Sequence, residues 1–286
     1  MLNAKITKKI NDSVYQKPRT IQEISHLIKK SWRTASRYVQ QISKEHGTIS
    51  VRTFRKGTRG ALKIAYWNNI ERIHSTEFRR HLFEQIRSGK NKADFSPSEI
   101  YQYVDEKNKA AKILTDEQYT SKENFEDYMN LLRSAESQVL FFSGNLTWSN
   151  MGHHDIKIRS IVEELAEKNI PSKILTRVEI PGLASIKNIL AINTRLGKKG
   201  IRVRHCFQPL RATIVDNKVA VFKETQDPEN YKGDELKEKI TIIYYIYDKE
   251  WIEWLQKVFW NLYRVSISAN KRIKDIEKIK GFTSLS

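Results

Sequence analysis

The sequence predicts an α/β chain, α+β overall, made of a small helical module with a hairpin, a helical connector and a layered α/β domain. Three observations predict it. Apolar residues recur at helical spacing up to residue 46, then alternate with polar ones on both sides of a Gly-containing loop. From residue 121 onward, short apolar runs alternate with amphipathic segments, as strands and helices of one layered sheet do. Charge divides the chain as well: residues 1–92 hold 21 Lys+Arg against 6 Asp+Glu, a net of +15, whereas residues 93–286 hold 30 against 27, a net of +3. The expected divisions are 1–68, 69–120, 121–264 and a basic helical tail, 265–286.

Composition excludes several classes. The 286 residues suit two domains at roughly 100–200 residues each. With 11 Phe, 12 Tyr and 6 Trp the chain can fill real cores, so wholesale disorder is excluded. Cys206 is the single cysteine, which excludes an intrachain disulfide and a Cys-rich zinc site. The most apolar run near the C-terminus, 240–247, is far shorter than the roughly 20 residues of a membrane-spanning helix. Lys5, Lys8, Lys9, Lys17 and Arg19 lie in residues 1–30 without an apolar block, so no secretory signal is visible. The expected location is cytoplasmic, on the nucleoid.

The first helix runs from about Ala4 to Val14 and ends before Lys17-Pro18, because proline disfavours helix in the residue before it. Thr20 and Glu23 have the spacing of a capping box, and Ile21, Ile24, Leu27 and Ile28 form the apolar stripe of the helix that follows. A third helix starts at Ser31, a good N-cap. On it Ala35, Tyr38, Val39 and Ile42 share one face, and Arg33, Ser36, Arg37 and Gln40 the opposite one. Ile49 and Val51, then Leu62, Ile64 and Tyr66, alternate with polar residues around a basic loop tip of Arg55, Lys56 and Arg59, which predicts a hairpin.

The run from Thr20 to Val39 resembles the winged helix–turn–helix of many transcriptional regulators. Ser31, Thr34, Ala35 and Arg37 match the family's Ser-x-x-Thr-Val-x-Arg-type run, and Lys29 stands where a Gly often does. The resemblance implies a helix in the major groove, where Arg33 and Arg37 donate to guanine and Gln40 pairs with adenine. Ser31, Ser36 and the helix N-terminus suit phosphates, and the hairpin tip reaches phosphates or a minor groove. Trp32 fits either core packing or a DNA contact.

In the connector, Ile70, Ile73, Phe78, Leu82 and Ile86 predict one helix, and Ser96-Pro97-Ser98-Glu99 the start of another. These helices link the domains or build a dimer seam. Further on, a helix over 124–135 leads to a buried strand at 138–142 and a loop, 143–148. Helices follow at 155–168 and 183–197, strands at 172–178 and 201–207, and a hairpin of Arg211–Val215 and Lys218–Lys223 turning at Asp216-Asn217. A last strand, Lys239–Tyr247, precedes a long helix, Lys249–Tyr263.

This half resembles the phospholipase D-like superfamily, and its place behind a winged helix is similar to the TrmB-type regulators. Leu140–Trp148, Thr213–Lys218 and Asp248–Trp260 carry the resemblance. Active members share a His-x-Lys-x4-Asp motif. With Asp216 on the motif's Asp, Arg211 falls on its Lys and Pro209 on its nucleophilic His, and His205 lies four residues too early. Proline cannot attack phosphorus, so no catalytic residue is expected here. Asn145, Arg211 and Asp216 are left as an anion or effector pocket, or Arg211 and Asp216 as an ion pair between neighbouring strands. His153-His154-Asp155 is the one other group with ligand-type side chains, and adjacent residues point apart, so no metal and no cofactor is expected.

Together these features point to a non-enzymatic, sequence-specific regulator of double-stranded DNA. It would be a homodimer, with a C-terminal domain that senses a small anion or assembles. A phospholipase D-type nuclease and a nucleoid- or replication-associated DNA-binding protein are the alternatives.

Overall fold

The computed structural model describes residues 2–46, 49–55, 61–67, 76–153, 156–231 and 235–283. Helix α1, Ala4–Gln16, is capped by Asn3, whose Oδ1 accepts the Ile6 N–H at 2.9 Å. The two-residue strand β1, Arg19–Thr20, runs into α2, Ile21–Ile28. The capping box forms as its spacing predicts: Glu23 N donates to Thr20 Oγ1 at 3.1 Å, and Thr20 N to Glu23 Oε2 at 2.8 Å. Lys29 ends α2 in the left-handed region, φ 52° and ψ 47°, and so takes the conformation a glycine would supply. Helix α3, Trp32–His46, follows at once. Strands β2, Ile49–Arg55, and β3, Ala61–Trp67, pair antiparallel, and β1 lies on the other side of β3. Ile10, Val14, Ile21, Ile24, Val39 and Ile42 close a small core among the three helices and this sheet.

Helix α4, Thr76–Ser88, and the one-turn α5, Ser98–Tyr101, lead to a departure from the sequence reading. Lys109–Thr115, expected within the helical connector, is strand β4. Its Ala- and Lys-rich sequence has little strand propensity of its own. It pairs in full register with β12, Ile240–Ile246, and forms the edge of the large sheet, where tertiary pairing overrides local preference.

The remaining elements are α6, Asp116–Tyr119; α7, Lys122–Arg133; β5, Val139–Phe142; β6, Gly152–His153; β7, Ile156–Lys157; α8, Ile158–Glu167; and β8, Ser172–Thr176. After them come α9, Leu183–Leu196; β9, Ile201–His205; β10, Ala212–Val215; β11, Val219–Gln226; α10, Lys249–Val265; β13, Ile267–Ser268; and α11, Ala269–Thr283. One sheet of eight strands runs in the order β13-β9-β8-β5-β10-β11-β12-β4. Strands β5, β8 and β9 are parallel, and the other pairings are antiparallel.

Helices cover both faces of this sheet. Leu140, Phe142, Ile214, Phe222 and Tyr244 pack with α4, α5 and α10 on one side. Val139, Phe141, Ile174, Val203 and Val221 pack with α7, α8, α9 and α11 on the other. The basic tail is therefore a docked helix: Ala269, Ile273 and Ile276 of α11 are buried in the second core. The first core also takes in Leu62 and Ile64 of β3, and Arg52 Nη1 donates to the Tyr101 hydroxyl at 2.6 Å. The amino-terminal module thus shares a core with the sheet domain.

Candidate nucleic-acid interface

Helix α3 owes its start to Ser31. The Thr34 N–H donates to Ser31 Oγ at 3.3 Å, and the two hydroxyls stand 2.9 Å apart. Arg33, Arg37 and Gln40 follow at helical spacing and are exposed, forming one polar row. The Arg37 guanidinium lies 5.6 Å from the Tyr38 ring centre. Thr34 is half-buried and occupied by Ser31.

Two expected contacts take a different place. Ser36 is buried, and the Lys63 ammonium of β3 donates to its hydroxyl at 3.4 Å, so it is not placed to reach a phosphate. Trp32 is half-buried against the module's core, with Lys63 Nζ 5.3 Å from its ring centre, and its indole nitrogen is fully enclosed. Of the two roles left open for Trp32, the packing one matches this placement. The side chain of Arg55 and all of Lys56 and Arg59 lie outside the described residues, as do His154, Asp155 and the side chain of His153.

Sequence reasoning missed what faces Trp32. Glu235, on the connection from β11 to β12, is 8% exposed and packs against the Trp32 indole and the Gln22 backbone. The Trp32 indole N–H and the Gln22 backbone N–H act on its carboxyl, though neither reaches close hydrogen-bond geometry. Burial pushes the carboxyl up to about 7, against the pull of Trp32 and Gln22. A single acidic residue in a Lys- and Glu-rich loop gives no periodic signal that could have marked it.

The second predicted cluster is divided. Arg211 and Asp216 flank the four-residue β10 at opposite ends, roughly 16 Å apart at about 3.3 Å per residue, so they neither pair nor share a pocket. Asp216 is a structural anchor. Its carboxylate accepts from Glu136 N at 2.9 Å, Ser137 N at 2.8 Å, Ser137 Oγ at 2.7 Å and Gln138 N at 2.9 Å, pinning the turn before β5. Burial works to raise its pKa, and the bonds from Gln138, Ser137 and Glu136 overcome it, leaving the carboxyl below its usual range.

Arg211 joins Asn145 at the other end of the strands. There the chain leaves β5, β8 and β9 and enters β10. The Arg211 guanidinium lies on Gly144, where a Cβ would stand 2.7 Å from Nη2, and Nη1 donates to the Leu210 carbonyl at 2.7 Å. Burial, with help from neighbouring Arg177, brings Arg211 down to about 10. Arg177 Nε is itself enclosed without a partner among the described residues. At this edge Pro209 is buried, and a Cβ on Gly89 would meet its ring at 2.8 Å. His205 Nδ1 accepts the Val178 N–H at 3.0 Å. Among the described residues no group of three His, Cys, Asp or Glu could hold a metal ion, and no helix is long and apolar enough to cross a membrane.

These features define a class by architecture: a layered α/β sheet domain joined through a shared core to a three-helix module with a hairpin. Similar solved structures include Nuc from Salmonella typhimurium, a phospholipase D family member, at 13% identity over 56% of this chain and 97% of that one, with a TM-score of 0.39. NucT from Helicobacter pylori is similar at 12% identity over 56% and 99%, TM-score 0.40. TrmBL2, an archaeal chromatin protein, is similar at 11% identity over 93% of this chain and 94% of that one, TM-score 0.37. No family model and no curated protein sequence matches the chain.

Proposed function

We propose that this chain binds double-stranded DNA through a winged helix–turn–helix and acts as a sequence-specific transcriptional regulator. The carrying observation is the exposed row Arg33, Arg37 and Gln40 on a capped helix, in a part of the chain with a net charge of +15. A helix of this kind fits the major groove, and its three side chains have the donors and acceptors that base edges require. Arg55, Lys56 and Arg59 at the hairpin tip would add phosphate contacts that carry no sequence information. In a homodimer, two such helices would read half-sites about 34–36 Å apart or a multiple of that.

The sheet domain then works without turnover, as a sensor or an assembly surface. Pro209 at the nucleophile position supports this over a nuclease, as does the use of His205 Nδ1 in backbone bonding. An anion seated by Arg211 with Arg177 beside Asn145 is the effector site in keeping with that edge, and Asp216 has no part in it.

The test uses the full chain, because the module shares its core with the sheet. Affinity for duplex DNA should fall steeply with added salt through counterion release. The Arg33→Ala/Arg37→Ala variant should bind more weakly and lose part of the salt dependence. Unchanged affinity in that variant, or DNA cleavage by the wild type without metal, would overturn the proposal. Genome-wide footprints confined to a few sharp sites would favour regulation, and broad coverage an architectural role.

A further inference from the structure

A hollow of about 410 Å³ opens on the sheet face beside α6, walled by Asp116, Glu117, Tyr119, Thr120, Lys223, Thr225, Lys239 and Thr241. Lys223 and Thr225 are two residues apart on β11, so their side chains leave the same face, and Thr225 stands in register with Thr241 on β12. Lys239 is neutralised by Asp116 at 3.1 Å. Lys223 is different. Its ammonium lies 3.8 Å from the Tyr119 ring centre and has no carboxylate partner among the described residues. A ring face can engage one N–H of an ammonium, which leaves the others to seek oxygen.

We propose that this hollow binds a small hydroxylated molecule bearing an oxyanion, with its phosphate or carboxylate on the Lys223 ammonium and its hydroxyls on the Thr225–Thr241 pair. Both ammonium groups face the same space, and an incoming anion supplies the countercharge that Lys223 lacks. Burial and the neighbouring Lys239 bring the Lys223 ammonium down to about 8 against the pull of Asp116, and a bound anion would push it back up. The Thr hydroxyls both donate and accept, which suits a carbon chain carrying alcohols rather than a bare apolar acid. The site lies on the opposite face of the sheet from the core that holds the amino-terminal module, away from Arg211, and does not depend on DNA binding.

Calorimetric titration of the full chain with glycerol 3-phosphate and with lactate tests the site and separates phosphate from carboxylate, with glycerol as the uncharged control. At least one anion should bind saturably. Binding should weaken at least tenfold in Lys223→Met and severalfold in Thr225→Val, and stay unchanged in Lys257→Met, an exposed lysine of α10 that does not line the hollow. Saturating ligand should also slow acylation of Lys223 by an amine-reactive ester in the wild-type protein, a readout that survives if Lys223→Met fails to fold. Absence of saturable binding by both anions, equal binding by glycerol, loss in Lys257→Met rather than Lys223→Met, or unprotected Lys223 labelling overturns the proposal.

Discussion

The carboxyl of Glu235, from the connection between β11 and β12, is buried against Trp32, the first residue of α3, and forms no hydrogen bond of close geometry among the described residues. This contact joins the sheet domain to the helix that carries the polar row. Folding raises the carboxyl's proton affinity, so the stability it contributes is full below its ordinary pKa near 4.5 and is lost as pH rises through about 7. Glu235→Gln keeps the shape and removes the charge. It should stabilise the chain by roughly 1–3 kcal/mol at pH 8 and by much less at pH 5. Thermal melts of both proteins at the two pH values check this, and a pH-independent difference would refute it.

The turn from α2 to α3 carries a removable strain. Lys29 holds φ 52°, which costs a side chain with a Cβ roughly 1–2 kcal/mol. Lys29→Gly should raise stability by about 0.5–1 kcal/mol, the rest being offset by the greater freedom of glycine in the unfolded chain. Lys29→Ala keeps the strain and should show no such gain. Chemical denaturation of the three proteins at equal salt separates them.

Asp216 should prove structural. Removing a carboxylate that satisfies three backbone N–H groups and one hydroxyl unpins the turn before β5, so Asp216→Ala should cost roughly 1–3 kcal/mol. The carboxyl's pKa is lowered by folding, so its contribution is present above its ordinary value near 3.8 and is lost as pH falls through the lower, folded one. Acid titration of the melting temperature should therefore be shallower in Asp216→Ala than in the wild type.

Arg37 and Ser36 should part company in DNA binding. Arg37→Ala should weaken a preferred duplex by roughly 1–3 kcal/mol and blur one base preference. Ser36 is buried under Lys63, so Ser36→Ala should leave affinity nearly unchanged and show up only in stability. Anisotropy titrations on preferred and scrambled duplexes measure both effects. Equal losses for the two variants would place Ser36 at the DNA.

The sequence by itself determined the elements whose signals are local. The Thr20–Glu23 spacing marks the capping box, the stripe Ile21, Ile24, Leu27 and Ile28 marks α2, and Asp216-Asn217 marks the turn between β10 and β11, because each depends on neighbours within a few residues. Only the tertiary structure decided what depends on residues far apart in the chain. Lys109–Thr115 is a strand because β12 offers it an unpaired edge, against its own propensity. Arg211 and Asp216 look like one site when set on a motif, but strand length holds them at opposite ends of β10. Glu235 meets Trp32, and Lys223 meets Tyr119, across separations of about 200 and 100 residues at which no pattern in the sequence pairs them. Burial then raises the proton affinity of Glu235 and lowers that of Lys223, since the same side chains in water would hold their ordinary pKa values.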